Sequence, residues 1–436
     1  MVDVRPFRGW RYRPSAVDDL SLVVSPPYDV VRVDQRGLLY QRSPYNVIRL
    51  EFGLSYPDDS PEDNVYTRAA HLLHQWRVQG VLGEEVSPAF YVLEEVFPYK
   101  GHRLTRRGLL GAVRLEPYER KVVFPHEHTS PGPKADRLRL LEATRASFSP
   151  ILGLHRPHQG LRALLEKITA GPPQVQTRGW DNITYRLWIV TEGEVQQAIR
   201  SALAQEPVYL ADGHHRYETA LAYEAQRQQA GFSHPDDAFH FVPMCLVGMD
   251  DPGLVVEAFH RLVEPLPSAL RQALLSRQEA LFASSEETLP LTRQGAEGAL
   301  EALARGKGTL ACADRETGQL RLLRLRSGRL DIHAPHPSLW ECASWVLHKA
   351  LLEPVLGTHL KDGEGTITFV HGLEEVFQRL ERGVASLAYL LPPVRWDVFR
   401  AVVEAGLRLP PKSTYFYPKL PAGLVIYSVE GRLPAL

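Results

Sequence analysis

Two periods of apolar and polar residues run along this chain and predict alternating strands and helices. In the first part, Asn46-Val47-Ile48-Arg49-Leu50-Glu51-Phe52 alternates as a half-buried strand would. Residues 61–79 predict a helix with Leu72, Leu73 and Trp76 on one stripe. Residues 89–93 and 109–115 predict strands, and 134–145 a helix that turns Leu138, Leu140 and Leu141 to a core. The middle part has a clearer order: strand 185–190, helix 192–204, strand 207–211, and a long helix from His214 or His215 to Ala230, capped by Gly231. A further apolar strand covers 241–249. Residues 265–328 are rich in Ala, Leu, Glu and Arg and predict helical stretches followed by a hairpin. Helices follow from about 338, and the chain closes through Lys412-Ser413-Thr414-Tyr415-Phe416-Tyr417-Pro418-Lys419. The expected class is α/β, a mixed sheet with flanking helices. The expected division is an amino-terminal lobe (1–150), a core (151–264), an inserted α+β lobe (265–337) and a carboxy-terminal lobe (338–436) that contributes to the site.

Composition narrows the partners. With 436 residues and a formal net charge of −1, the chain is long enough for several cores and carries no global field for nucleic acid or an acidic membrane. Cys245, Cys312 and Cys342 are too far apart for a CxxC pair, so no disulfide framework, thiolate zinc site or dithiol centre is expected. The first residues lack the apolar stretch of a signal peptide, and no apolar run approaches the roughly 20 residues that span a bilayer. A cytoplasmic protein is the expectation.

The strongest chemical signal is Ala211-Asp212-Gly213-His214-His215-Arg216-Tyr217-Glu218-Thr219-Ala220-Leu221. An apolar strand ends at Ala211, Gly213 permits a tight turn, and a helix starts with its orphan N–H groups turned outward. The positive end of the dipole disfavours cations there, by roughly 0.3–1 kcal/mol each. Yet two histidines and an arginine are gathered in the first turn. A bound phosphate would resolve that conflict, because a helix start attracts anions and Arg binds phosphate through two charge-assisted bonds. Asp212 would cap the helix.

Several blocks together resemble a bacterial family, domain-of-unknown-function family 1015, over nearly the whole chain. They are Pro26-Pro27-Tyr28-Asp29-Val30, Asn46 to Leu50, His126-Glu127-His128-Thr129, Ala211 to Leu221, Asp251-Pro252-Gly253-Leu254, His260-Arg261 and Lys412 to Lys419. The Pro-Thr pair that the family usually carries before His-Arg is Ala258-Phe259 here. Residues 185–230 also resemble the core of the superfamily of partition protein ParB, sulfiredoxin and the free serine kinases. That resemblance implies a ParB/sulfiredoxin-like core and a helix start that holds nucleotide phosphates. A histidine stands where sulfiredoxin has its cysteine, which excludes that redox chemistry. The Asp-Gly-His-x-Arg form is closest to the serine kinases. It implies that Asp212 and His214 handle phosphate or metal, that Arg216 clamps phosphate, and that a separate carboxylate is the general base.

Other residues are candidates on their own chemistry. Glu51 or Asp29 could be that base, since phosphoryl transfer to an alcohol needs a carboxylate within hydrogen-bond reach. If 126–129 is extended, His126 and His128 share one face and Glu127 takes the other; His-x-His is also a metal-ligand spacing. Lys134 and Arg137 lie one turn apart at a second helix start and could contact a second anion. Alternation over 412–419 puts Ser413, Tyr415, Tyr417 and Lys419 on one face and Lys412, Thr414 and Phe416 on the other, with Pro418 confining the segment to a sheet edge or strand end. No Walker A loop, Gly-x-Gly-x-x-Gly, Gly-x-Ser-x-Gly or His-Glu-x-x-His motif occurs.

The leading expectation is a nucleotide-dependent phosphotransferase acting on a small hydroxylated metabolite, free serine foremost. ATP or ADP would lie on Gly213, His215, Arg216 and Thr219, with Mg²⁺ held through Asp212. Asp212, His214 and Glu51 would serve chemistry, and Asp29, Arg49, His126, Glu127, Lys134, Arg137, Lys412, Ser413 and Lys419 the substrate or a second anion. The alternatives are a ParB-type nucleotide-binding regulatory module and a metal-dependent phosphohydrolase built on His126, His128 and His214.

Overall fold

The computed structural model describes residues 2–326, 332–357 and 366–435, and of Glu286 and Glu287 only the backbone. Residues 327–331 of the expected inserted lobe lie outside them. The chain groups into two compact units. The first comprises Met1–Pro125, Thr129–Val255 and Pro418–Leu436, the second His126–His128 and Val256–Tyr417. The protein is mixed α/β, as its two periods predict.

The first unit is built on a nine-stranded sheet. In chain order its strands are β1 (Val4–Arg5), β2 (Phe90–Tyr99), β3 (His102–Arg114), β4 (Val123–Phe124), β5 (Ile151–His155), β6 (Val175–Arg178), β7 (Thr184–Val190), β8 (Val208–Asp212) and β9 (Phe241–Gly248). They lie in the order β4-β8-β5-β9-β3-β2-β7-β6, with β1 paired to β3. The β4–β8 and β5–β9 pairs are parallel and the rest antiparallel. Helices are α1 (Val33–Arg42), α2 (Ile48–Glu51), α3 (Val65–Val78), α4 (Pro131–Thr144), α5 (Gln159–Thr169), α6 (Gly193–Leu203) and α7 (His214–Gln229). Leu161, Leu165, Ile199 and Leu203 of α5 and α6 pack on Phe90, Val92, Trp188 and Val190 of the sheet. A second core joins Val47, Leu50, Leu73, Trp76, Leu140 and Phe148. Burial of these side chains, at roughly 1.5–3 kcal/mol each, overrides local propensity where the two compete.

Residues 46–52 show such a competition, and the strand expected there is a helical turn. Asn46, fully buried, donates from Nδ2 to Leu22 O (2.7 Å) and accepts from Ile48 N at Oδ1 (3.0 Å). That side-chain turn leads the chain into α2. Val47 and Leu50, three apart, then enter one core and Ile48 another, with Val31 and Leu39. A strand would have placed Val47 and Leu50 on opposite faces.

The second unit carries a six-stranded antiparallel sheet of β10 (Phe259–Val263), β11 (Phe282–Pro290), β12 (Leu310–Asp314), β13 (Gln319–Leu325), β14 (Ile367–His371) and β15 (Leu387–Leu390), in the order β11-β13-β12-β15-β10-β14. Ala296, Ala299 and Leu303 of one helix and Val376 and Leu380 of another cover a face of it. Among the described residues no helix is long and apolar enough to cross a membrane. The three thiols are buried and unpaired, and burial pushes that of Cys312 up to about 12.

Candidate functional site

Strand β8 delivers Asp212 through an irregularity. Against β5, Leu210 faces Gly153 while Asp212 faces Leu152, so Ala211 is the extra residue that re-aims Asp212 and the turn after it. Gly213 then takes φ +90°, the left-handed region, and α7 starts at His214. The strand, tight turn and helix start expected from the sequence are all present. Within α7, Tyr217 is fully buried and its hydroxyl exchanges hydrogen bonds with Glu116 N and O (2.9 and 2.8 Å), which ties the helix to the segment that follows β3.

Arg216 does not reach outward. Its Nη2 donates to Asp212 Oδ2 (2.9 Å), and Nη1 donates to Ser149 Oγ (2.8 Å), Ser149 O (3.2 Å) and Pro150 O (2.7 Å). The guanidinium expected as an open phosphate clamp thus binds β8 to the 149–150 turn. Lys419 Nζ pairs with the other oxygen of Asp212, Oδ1. Burial alone would raise the Asp212 carboxyl, but Lys419, Arg216 and His214 hold it down at about 2. Asp212 is an obligate anion flanked by cations. A divalent cation on Asp212 would have to displace one of them, so the donor set does not fit a protein-held Mg²⁺.

Glu51 is the opposite case. It ends α2 at 3 % exposure, and its Oε1 accepts from Ser149 Oγ, the hydroxyl that also receives Arg216. Its Oε2 is buried and without a partner. Burial raises the carboxyl, the Ser149 hydroxyl, Arg216 and Arg137 oppose that, and Asp29 adds to it. Asp29 and Tyr28 lie within electrostatic reach of Arg216 as well. Burial, with Asp29, pushes the Tyr28 phenol to about 12. A cavity of about 50 Å³ is bordered by Glu51, Arg137, Ser149 and Arg216, with an otherwise largely apolar lining.

The remaining candidates divide. Arg137 is buried, donates to Glu51 O (2.7 Å), pairs with Asp136 (2.5 Å) and lies over the Tyr28 ring (4.0 Å), so it braces Glu51. His215 Nε2 accepts from Ser130 N (3.0 Å) and is an acceptor there. Lys134 pairs with Glu218 (3.0 Å), which also receives the Thr129 hydroxyl. Thr219 is buried and donates weakly to Lys134 O (3.4 Å), so its hydroxyl is turned to α4. Arg49 is turned away: it donates to Tyr40 O (2.7 Å) and Ser43 O (3.3 Å) and lies on the Tyr40 ring (4.3 Å).

His126, Glu127, Lys412 and Ser413 belong to the second unit. His126 is buried, with Nε2 against Thr414 Oγ1 (2.8 Å), whereas His128 is exposed, so the two do not share the expected face. Glu127 lies 3.7 Å from His126 Nε2. Lys412 takes φ +56° and Ser413 is buried with its hydroxyl on Pro410 O (2.6 Å). That turn breaks the alternation expected over 412–419, leaving only Tyr415–Tyr417 as strand. Among the described residues no three His, Cys, Asp or Glu side chains are grouped to hold a metal ion.

Sequence reasoning missed Ser149, Tyr28 and Glu218. Tyr28 stands beside Asp29 in the Pro-Pro-Tyr-Asp turn and Glu218 inside the helix motif, where neighbouring residues carry the stronger chemical signal. Ser149 carries only the weak signal of a Ser-Pro pair.

These features make a buried strand–turn–helix cluster in an α/β protein. The chain belongs to the family described as protein of unknown function (DUF1015), whose model matches residues 4–334. None of the curated proteins compared with it matches. Among solved structures it is similar to a free serine kinase in complex with AMP (14% identity, TM-score 0.34, covering 71% of this chain and 88% of that one). It is also similar to a conserved hypothetical protein from Pyrococcus furiosus (14%, 0.35, 70% and 92%). A third is SbnI with a C-terminal truncation from Staphylococcus aureus (13%, 0.36, 73% and 87%).

Proposed function

We propose that this protein is a phosphotransferase that uses ATP or ADP to phosphorylate a small hydroxylated metabolite, free serine being the first to test. One observation carries the reading: Glu51 is a buried, raised carboxyl with an unpartnered oxygen, set in the same cluster as the helix start and its cations. A carboxyl that burial has raised holds a proton more firmly than a free carboxylate, and so is better suited to take one from a hydroxyl. In the transfer, the acceptor oxygen forms a bond to the terminal phosphorus as the bond to the nucleotide leaving oxygen breaks, and the hydroxyl proton passes to Glu51.

The orphan N–H groups of α7, with Lys419 and Arg216 behind them, would hold the nucleotide phosphates. Gly213 keeps side-chain bulk out of that approach; a Cβ there would come within 3.1 Å of Arg216 and Ile151. Asp212 would orient Lys419 and Arg216 rather than touch phosphate. Mg²⁺, if it accompanies the nucleotide, would be held by phosphate oxygens. Asp29 and Arg137 set the charge and placement of Glu51.

A ParB-type regulatory module would share the phosphate site but would have no use for Glu51. Calorimetry of ADP with the wild-type chain and Lys419→Ala tests the first step. Loss of one charge-assisted contact should weaken ADP by roughly tenfold or more. Unchanged affinity, or no ADP binding by the wild type, would overturn the reading.

A further inference from the structure

The Asp251-Pro252-Gly253-Leu254 block and a fully buried ion pair lie outside the site described above. We infer that the Glu95–Arg106 pair is a positioning device that sets Lys419 against Asp212 through the carbonyl of Pro418, an inference that rests on the phosphate site proposed above.

Glu95 of β2 and Arg106 of β3 face each other across the two strands. Their side chains are 2% and 0% exposed. Arg106 Nε and Nη2 both donate to Glu95 Oε2 (2.6 and 2.5 Å), and Nη2 also donates to Pro418 O (2.7 Å). The next residue is Lys419, whose Nζ meets Asp212. One peptide unit therefore separates the buried anchor from the ion pair at the helix start.

Stability does not explain such a pair. Taking both charges out of water costs more than their attraction commonly returns, and apolar residues of similar size often serve as well or better. Burial pushes the Glu95 carboxyl up to about 7 even beside Arg106. Glu95 Oε1 and Arg106 Nη1 are buried without partners, so the pair is satisfied only on the side that includes Pro418. What apolar residues could not do is donate to a carbonyl. Pro418 has a fixed φ and no N–H, so its carbonyl is the handle that the backbone offers there.

The Asp251–Leu254 block seats this anchor. A Cβ on Gly253 would come within 2.3–2.4 Å of Thr105 C and O and Arg106 N, so only glycine lets that loop lie on β3. Asp251 Oδ1 accepts from Gly253 N (2.8 Å) and Oδ2 from Arg107 N (3.3 Å), which fixes the loop on the strand. Asp251-Pro252-Gly253, Arg106, Pro418, Lys419 and Asp212 then form one continuous chain of contacts.

The test uses the full chain and three variants: Glu95→Leu with Arg106→Met, Lys419→Ala, and all three substitutions together. The first readout needs no ligand. Amine-reactive labelling followed by mass spectrometry compares Lys419 with exposed Lys167. Lys419 should label slowly in the wild type and roughly tenfold faster in the Glu95→Leu/Arg106→Met chain, as a single lost hydrogen bond implies. An unchanged Lys419 rate in a folded variant overturns the inference. The second readout is ADP affinity: the triple variant should bind no more weakly than Lys419→Ala alone, whereas additive losses would assign the pair a merely structural role. Should the paired variant fail to fold, Arg106→Lys serves for labelling; its single ammonium cannot reproduce the fork that joins Glu95 to Pro418, so the same rise is expected and its absence is fatal. If wild type binds no ADP, the phosphate reading fails while labelling still decides the role of the pair.

Discussion

Asp212 is bonded directly to the buried guanidinium of Arg216 and Glu51 is linked to it through the Ser149 hydroxyl, and their surroundings drive the two carboxyls in opposite directions. Asp212 has a cation on each oxygen and is held at about 2. Glu51 has one hydroxyl donor, one unpartnered oxygen and a neighbouring carboxylate in Asp29, and burial wins. Two carboxyls whose environments move their protonation in opposite directions are suited to separate tasks, one fixed as an anion and one able to take a proton. The contrast teaches that the helix start alone does not make the site. Asp212 and Arg216 satisfy each other, whereas Glu51 keeps one oxygen without a partner.

The largest break in this arrangement is Arg216→Ala. It removes a cation from the Asp212 carboxyl and orphans the Ser149 and Pro150 acceptors, and removing one partner of a buried pair costs about 3–5 kcal/mol. A large fall in the thermal midpoint is expected; a midpoint within a degree or two of wild type would show that Arg216 is not a buried partner of Asp212.

Asp212→Asn should cost less and should change the acid limb. The folded pKa is depressed from 3.8 to about 2, so Asp212 contributes stability above pH 4 that is lost as pH falls through the folded value, on the order of 2 kcal/mol. Urea titrations between pH 2 and about 6 should show that slope in wild type and a shallower one in the variant. Glu51→Gln runs the other way. A raised carboxyl favours the native state below its unfolded pKa, and that contribution is lost as pH rises through the folded pKa. At neutral pH the amide should therefore be as stable as wild type or more so, and a marked destabilisation there would contradict the assignment.

Smaller effects sharpen the contrast at the rim. His215→Ala removes the acceptor of Ser130 N and should cost about 1 kcal/mol, readable by denaturant unfolding. Lys134→Ala breaks a pair whose lysine is 37% exposed and should change stability by less than about 1 kcal/mol. A large loss in Lys134→Ala would mean that the rim, not the buried cluster, carries the site.

The turn at Gly213 was legible because its signals are local: an apolar strand, a glycine, and cations crowded at the positive end of a helix. The sheet strands from 185 to 248 were legible for the same reason. The turn at 46–52 was not, because Val47 and Ile48 favour a strand and the opposing influence, Asn46 bonded to Leu22 O, comes from far along the chain. Arg216 looked like an open clamp for a similar reason. Its partners at Ser149 and Pro150 lie 67 and 66 positions away, and no spacing rule links them. Lys419 was legible only as chemistry; that it meets Asp212 depends on contacts of the folded chain.

The most direct test of the central claim is the product of Glu51→Gln. Wild type incubated with ATP or ADP and serine among pooled hydroxylated metabolites should yield a phosphorylated product by mass spectrometry. The variant should bind ADP with wild-type affinity and form that product at least about 100-fold more slowly, as loss of a general base implies. Equal product formation by the two chains, or none by the wild type, would contradict the account.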